Sequence, residues 1–228
     1  MVKRVGVVVF PGTNCEQETI RAFSVPGQYE VTEVWYDNPL PSGLDLVILP
    51  GGWSYGDTLR AGTIARFSKV MTGIVEHAKA GGFVLGICNG FQILTESGLL
   101  PGALARNEHL RFRCEVVHCR VEQCNSPFVQ SIKSGSVYPL PIAHGEGRYV
   151  ADEKTLERLE ANGQIALRYS SPRGITTNKS NPNGSLRNIA GIVNRDGNVM
   201  GLMPHPERRA NAITGGDEGL ALLHAWSK

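Results

Sequence analysis

The sequence predicts an α/β protein: an open, mostly parallel β-sheet with helices on both faces. Three observations carry this expectation. Short aliphatic and β-branched runs alternate with segments of helical periodicity through the first half of the chain. The first run, Val5–Phe10, is continuously apolar, as a strand covered on both faces should be. Several runs end in glycine-rich turns, and open parallel sheets gather ligands at those strand ends. A chain of 228 residues without a repeat or a linker-like stretch reads as a single domain over 1–228, with a core large enough to need neither disulfides nor a metal.

Taken in order, Val5–Phe10 is a buried strand, and Thr13-Asn-Cys-Glu16 has the form of a capping box opening a helix to about Phe23. Val31–Tyr36 and Asp45–Leu49 follow as strands, the latter stopped by Pro50-Gly51-Gly52. Ile64, Phe67, Val70, Met71, Ile74, Val75 and Ala78 recur at helical spacing, and Gly81-Gly82 ends that helix. Phe83–Ile87 is the next strand, with a helix from about Gly90 to Ser97. The second half has a different texture. Residues 111–122 and 136–150 read as strands and turns, Asp152–Asn162 as a charged helix, and Gln164–Tyr169 as a strand. Residues 171–188, rich in Ser, Asn, Pro and Gly, form a long loop or lid. Ile189–Asn194 and Val199–Met203 flank a hairpin turn at Arg195–Asn198, and Leu220–Trp226 is a closing amphipathic helix.

Composition excludes several classes. The net charge of +2 is too even for a dedicated nucleic-acid or acidic-membrane binder. No apolar run approaches the roughly 18 residues of a membrane span. The opening MVKRVGVVVFPG lacks a cleavage site and is broken early by Pro11-Gly12, so it reads as a strand and not a leader. Five cysteines, an odd number without an export signal, point to reduced thiols in a cytosol.

The sharpest chemical feature is Phe83-Val-Leu-Gly-Ile-Cys-Asn-Gly-Phe-Gln92. A strand enters Gly86-x-Cys88-x-Gly90 and a helix leaves it, the thiol counterpart of a Gly-x-Ser-x-Gly nucleophile elbow. The turn would place the Cys88 sulfur near a helix N-terminus, where the amides favour thiolate. A nucleophile needs a proton shuttle, and Met203-Pro-His-Pro-Glu207 supplies one. Two prolines hold His205 extended, and in an extended segment residues i and i+2 share a side, so Glu207 would support the imidazole. The constellation is nucleophile Cys88, acid/base His205 and orienting carboxylate Glu207. Leu49-Pro-Gly-Gly-Trp-Ser-Tyr-Gly-Asp57, at another strand end, offers the Gly52 N–H; with the N–H of Asn89 it would make an oxyanion hole. Glycines in Pro50–Gly52 can reorient cheaply, which would make that hole a switch.

Together, Gly86–Gln92 and Met203–Glu207 resemble the class I (triad-type) glutamine amidotransferases. Phe10–Glu16, Pro50–Asp57, Leu59–Gly62, His144-Gly-Glu-Gly147 and Asn181–Ser185 are similar, within that family, to the glutaminase subunits of phosphoribosylformylglycinamidine synthase. The resemblance implies a flavodoxin-like sheet, a Cys88 thioester formed from glutamine, and Gln92 as a substrate contact. It further implies purine biosynthesis in the cytoplasm, with no cofactor in this chain. ATP and Mg would be used by a separate synthetase subunit acting on formylglycinamide ribonucleotide, accompanied by a small third subunit.

Other readings compete with it. An amidotransferase serving another acceptor would share the chemistry, and a stand-alone cysteine amide hydrolase would work at full rate without a partner. A non-catalytic binding module is opposed by the joint presence of Cys, His and Glu. Cys15 reads as a semi-buried bystander. Cys114, Cys119 and Cys124 fall on opposite strand faces, which argues against zinc. His144 and Glu146 could rival His205 and Glu207, but read best as a site rim or a partner contact.

Overall fold

The computed structural model describes residues 2–227. Eleven strands are present among them: β1 (Lys3–Val9), β2 (Tyr29–Trp35), β3 (Leu46–Leu49), β4 (Phe83–Ile87), β5 (Ala103–Ala105), β6 (Arg113–Val121), β7 (Val137–His144), β8 (Arg148–Val150), β9 (Ile165–Ser170), β10 (Ile189–Val193) and β11 (Val199–Leu202). The helices are α1 (Glu16–Phe23), α2 (Lys69–Lys79), α3 (Asn89–Glu96), α4 (Pro127–Gln130), α5 (Glu153–Ala161) and α6 (Glu218–Leu223). Nine strands form one sheet in the order β2-β1-β3-β4-β11-β10-β9-β6-β7, and β5 pairs with β8 in a small ribbon.

The first five strands of that order are parallel and the remainder antiparallel. The parallel half has the doubly wound order of a flavodoxin-like sheet. The chain winds one way from β1 and the other way from β3, so right-handed crossovers carry helices to both faces. β3 and β11 are buried throughout, β4 in all but its first residue and β1 over Val5–Val8, which explains the unbroken apolar sequence of those stretches. Phe10, Phe23, Ile48, Leu49, Ile87 and Phe91 lie in the core around them. Among the described residues no helix is long and apolar enough to cross a membrane.

Three local expectations change. Thr13 does not cap α1: its hydroxyl accepts the Phe10 N–H at 2.9 Å and closes the β1–α1 turn, leaving Cys15 as a cap residue without a side-chain bond. The helix expected from Ile64 begins at Lys69, because Ser68 is extended after a short turn at Ala65–Phe67. Phe67 is consequently exposed, with the Arg66 guanidinium 4.5 Å above its ring. Finally, the 171–188 segment is a brace and not a lid. Buried Asn183 donates to the Gly147 carbonyl at 2.8 Å, and Ser185 Oγ accepts the Tyr149 N–H at 3.0 Å, so the segment fastens the backbone after β7 from behind.

Candidate active site

Cys88 follows the last residue of β4 and caps α3 with φ 50° and ψ −103°. A non-glycine residue there is strained, the signature of a nucleophile elbow. The flanking glycines are steric necessities. A Cβ on Gly90 would overlap the Leu49 carbonyl, and one on Gly86 would come within 2.7 Å of the Gly90 carbonyl. Only without those carbons can α3 start so close to the ends of β3 and β4. The sulfur is buried, 3.9 Å from the Ala143 carbonyl.

Register brings His205 to it. β4 and β11 are parallel neighbours with Ile87 opposite Leu202, so Cys88 and His205 leave adjacent strand ends. The His205 N–H donates to the Pro141 carbonyl at 2.8 Å, tying the loop to β7. Glu207 reaches the imidazole from a short helical turn, Pro206–Arg209, and not from the extended segment expected. The His205 Nδ1–Glu207 Oε1 distance is 2.5 Å, and both side chains are buried. With Nδ1 taken, Nε2 is the nitrogen left for Cys88. Burial disfavours the imidazolium, but the Glu207 carboxylate, then the Cys88 and Cys15 sulfurs, outweigh it and hold His205 well above the usual histidine range.

Cys15 is no bystander. It is buried, its sulfur lies 3.9 Å from His205 Nδ1, its thiol donates to Asn14 Oδ1 at 3.2 Å, and it accepts from Arg208 Nη2 at 3.1 Å. Cys15, His205 and Glu207 bring S, N and O donors within 4.8 Å of one another. The Arg208 guanidinium on the same sulfur opposes a metal cation there. Elsewhere, Cys114 is exposed and Cys119 buried, on opposite faces of β6 as the sequence implied, whereas Cys124, also buried, lies beyond the end of that strand at Val121 and outside the expected alternation.

The Pro50–Gly52 turn is fixed. The Asn14 and Cys15 N–H groups both donate to the Gly51 carbonyl at 3.2 Å, and the Trp53 N–H donates to the Gly12 carbonyl at 2.8 Å. In a trans peptide the N–H points opposite to the C=O. The Gly52 N–H is therefore turned away from the Asn14 and Cys15 amides, and Gly52 lines one cavity with Cys88. This reverses the expectation of a cheaply reoriented switch, because turning that peptide breaks two hydrogen bonds. The Asn89 N–H, at the first position of α3, has no intrahelical acceptor. The cavity measures about 20 Å³, room for roughly one water.

Its walls are interlocked. Gln92 Nε2 donates to the Glu146 carbonyl at 2.6 Å, Gln92 Oε1 accepts from Asn89 Nδ2 at 2.9 Å, and Asn89 Oδ1 accepts the Ser54 N–H at 3.2 Å. Gln92 is thus a buried crosslink between α3 and the rim. His144 is also on the rim, and its tautomer follows from Asn107. The Asn107 amide nitrogen donates to the Arg111 and His144 carbonyls, so its oxygen accepts from Gly147 N–H and from His144 Nδ1–H at 3.1 Å. Nε2 is left as a buried lone pair without a partner. Burial, then the nearby His205 charge, pushes His144 down to about 3, so it is a neutral acceptor and a poor general base. Sequence reasoning missed Cys15, Asn107, Arg208 and the side chain of Asp57, which lines the cavity. Cys15 and Asp57, each inside a motif stretch, carried a usable signal; Asn107 and Arg208 carried none.

Residues 2–216 match the model of the CobB/CobQ-like glutamine amidotransferase domain. A phosphoribosylformylglycinamidine synthase subunit PurQ from Moorella thermoacetica is 56% identical over 96% of this chain and 92% of its own length. The PurQ subunit of Salinibacter ruber is 52% identical over 99% and 96%. Among solved structures, a chain of PurLQS from Thermotoga maritima superposes with a TM-score of 0.86 at 39% identity, covering 100% of this chain and 98% of that one. A GMP synthase subunit from Thermoplasma acidophilum, described as putative, shares the fold with a TM-score of 0.61 at 14% identity. The chain belongs to the glutamine amidotransferase family, in the branch of the PurQ subunits of phosphoribosylformylglycinamidine synthase.

Proposed function

We propose that the chain is the glutaminase subunit of a phosphoribosylformylglycinamidine synthase in purine biosynthesis, with Cys88 as nucleophile. The observation that carries this reading is the strained Cys88 elbow beside the His205–Glu207 pair at the end of the adjacent parallel strand. The Cys88 thiolate attacks the side-chain amide carbon of glutamine. The Gly52 and Asn89 N–H groups receive the oxyanion, and the His205 imidazolium protonates the departing ammonia. His205 then takes a proton from water as it hydrolyses the glutamyl thioester, releasing glutamate and the free thiol. Glu207 holds the ring and stabilises its charged form, and Gln92 is a substrate contact.

The ammonia passes to a synthetase subunit that uses ATP and Mg on formylglycinamide ribonucleotide, with a small third subunit completing the cytoplasmic complex. This chain itself holds no cofactor. The exposed Trp53, Leu110 and Phe112 around the mouth suit a docking face, next to His144–Arg148 and the 171–188 brace. Because the Gly52 peptide is pinned, docking acts on access, by freeing the Gln92–Glu146 crosslink that narrows the cavity.

The test is steady-state glutamine hydrolysis with and without the purified synthetase, ATP and formylglycinamide ribonucleotide, together with labelling by a glutamine-like electrophile. We expect a large rise on docking and stoichiometric label on Cys88. Equal rates in both conditions favour the stand-alone hydrolase, and label on another cysteine with Cys88 free sinks the nucleophile assignment.

A further inference from the structure

The chemistry at Cys88 concerns only the side-chain end of glutamine. The amino-acid end has to be held too, and the shape of the site says where. The cavity beside Cys88 and an outer groove of about 310 Å³ share Trp53, Asp57, Gly145 and Glu146. These four residues form the neck between them. A glutamine whose amide carbon lies against the Cys88 sulfur projects its α-carbon outward through that neck.

Two of the four are carboxylates with no cation set between them. Asp57 is half-buried in a left-handed conformation, φ 51°, within a run that also strains Tyr55 and Leu59 at φ 52° and 71°. Strain of this kind persists where the surroundings enforce it, typically at ligand sites. Asp57 Oδ1 takes a single long bond from Asn89 Nδ2 at 3.4 Å. Burial, then the facing Glu146 charge, pushes its carboxyl up to about 6. Glu146 pairs with Arg106 at 3.5 Å, but that guanidinium is largely exposed on the groove side. Deeper in, the buried His144 Nε2 adds another acceptor without a partner. The neck is therefore rich in acceptors and lacks a donor of positive charge. An ammonium group presents three N–H donors and one positive charge. Outside it, Arg106 and Arg111 line the groove, so charge alternates outward in the sense an α-amino acid requires.

We propose that Asp57 and Glu146 bind the α-ammonium group of glutamine at this neck, making them the residues that select an α-amino acid over a plain amide. The proposal rests on glutamine being the substrate that acylates Cys88. It goes further by naming which chemical group of that substrate the chain recognises, and with which side chains.

The experiment is a substrate-by-variant cycle on the full chain with its synthetase present, reading ammonia release. Glutamine is compared with glutaramate, which keeps the side-chain amide and the carboxylate but lacks the α-amino group. Wild type, Asp57→Asn and Glu146→Gln are each assayed with both. We expect the wild-type preference for glutamine in kcat/KM to shrink about 10- to 100-fold in Asp57→Asn, through a higher KM for glutamine, as for a lost charged hydrogen bond. Glu146→Gln should shrink it in the same direction. Asp57→Asn sheds a charge disfavoured by burial, so its thermal midpoint should not fall. A preference unchanged in both variants, or equal losses on the two amides, overturns the proposal. If wild type does not hydrolyse glutamine at all, the proposed function fails instead, and the two failures are told apart in the same assay.

Discussion

The two halves of the large sheet do different work. In the parallel half, β1, β3, β4 and β11 are buried and hydrogen-bonded on both edges, and the loops at their C-terminal ends carry Asn14 and Cys15, Gly52, Cys88 and His205. In the antiparallel half, β7 is an edge strand and the first residues of β6 are exposed. That half carries the rim, residues 143–148, and between its ladder-paired ends side-chain amides brace it: Asn107 from one side, Asn183 from the other. The contrast separates reacting groups, set by buried backbone, from the rim, set by replaceable side chains; Asp57 and Gln92 are the substrate-facing side chains that the parallel half itself carries. Damage to the reacting groups should appear in kcat, and damage to the rim or to Asp57 in KM.

The hardest test of that division is His205→Ala. General acid–base contributions run to about 10²–10⁴-fold, and kcat should fall on that scale with KM little changed. Glu207→Gln should be the milder lesion, because Glu207 orients and does not transfer the proton. Wild-type turnover in His205→Ala would move the proton chemistry elsewhere.

A smaller effect is expected from Gly51→Ala. The added Cβ would stand 2.6 Å from His205 Cε1 and 3.2 Å from the Cys15 sulfur. Displacing a reacting group by about 1 Å can cost about 10²-fold. The loss should fall on kcat, and a structure of the variant should show the imidazole displaced. An unchanged kcat would mean that the ring has slack the buried packing does not suggest.

The gentlest probe lies in the other half. Asn183→Ala removes the shorter of two side-chain bonds to the buried Gly147 carbonyl and leaves it only Ser185 Oγ at 3.4 Å, a net loss of about 0.5–1.5 kcal/mol. The thermal midpoint should drop, and KM for glutamine should rise more than kcat falls. If kcat alone collapses, the rim belongs with the reacting groups and the division fails.

Much of this was legible in the sequence, and the exceptions have a common cause. The unbroken apolar strands, the Gly86-x-Cys88-x-Gly90 elbow and the His-Pro-Glu stretch are local patterns, and local patterns survive in one dimension. The contacts of Cys15 with His205 and Arg208 join residues 190 and 193 positions apart, and no spacing rule reaches them. The capping box at Thr13 failed for a related reason: the hydroxyl had a nearer donor in Phe10, available only once β1 turned into α1. Asn107 carried no signal because its role is to satisfy backbone groups of a segment that lies next to it only through the β5–β8 ribbon.

The pinned Gly51–Gly52 peptide also bears on how such a chain tolerates mutation. Its two donors are main-chain N–H groups of Asn14 and Cys15, so the side chains at those positions can vary without removing either bond. Proline is the exception, since it has no N–H to give. The orientation of a candidate oxyanion donor is thus robust to nearly every change at the residues that hold it, and is vulnerable instead to insertions or deletions that shift the β1–α1 turn against β3.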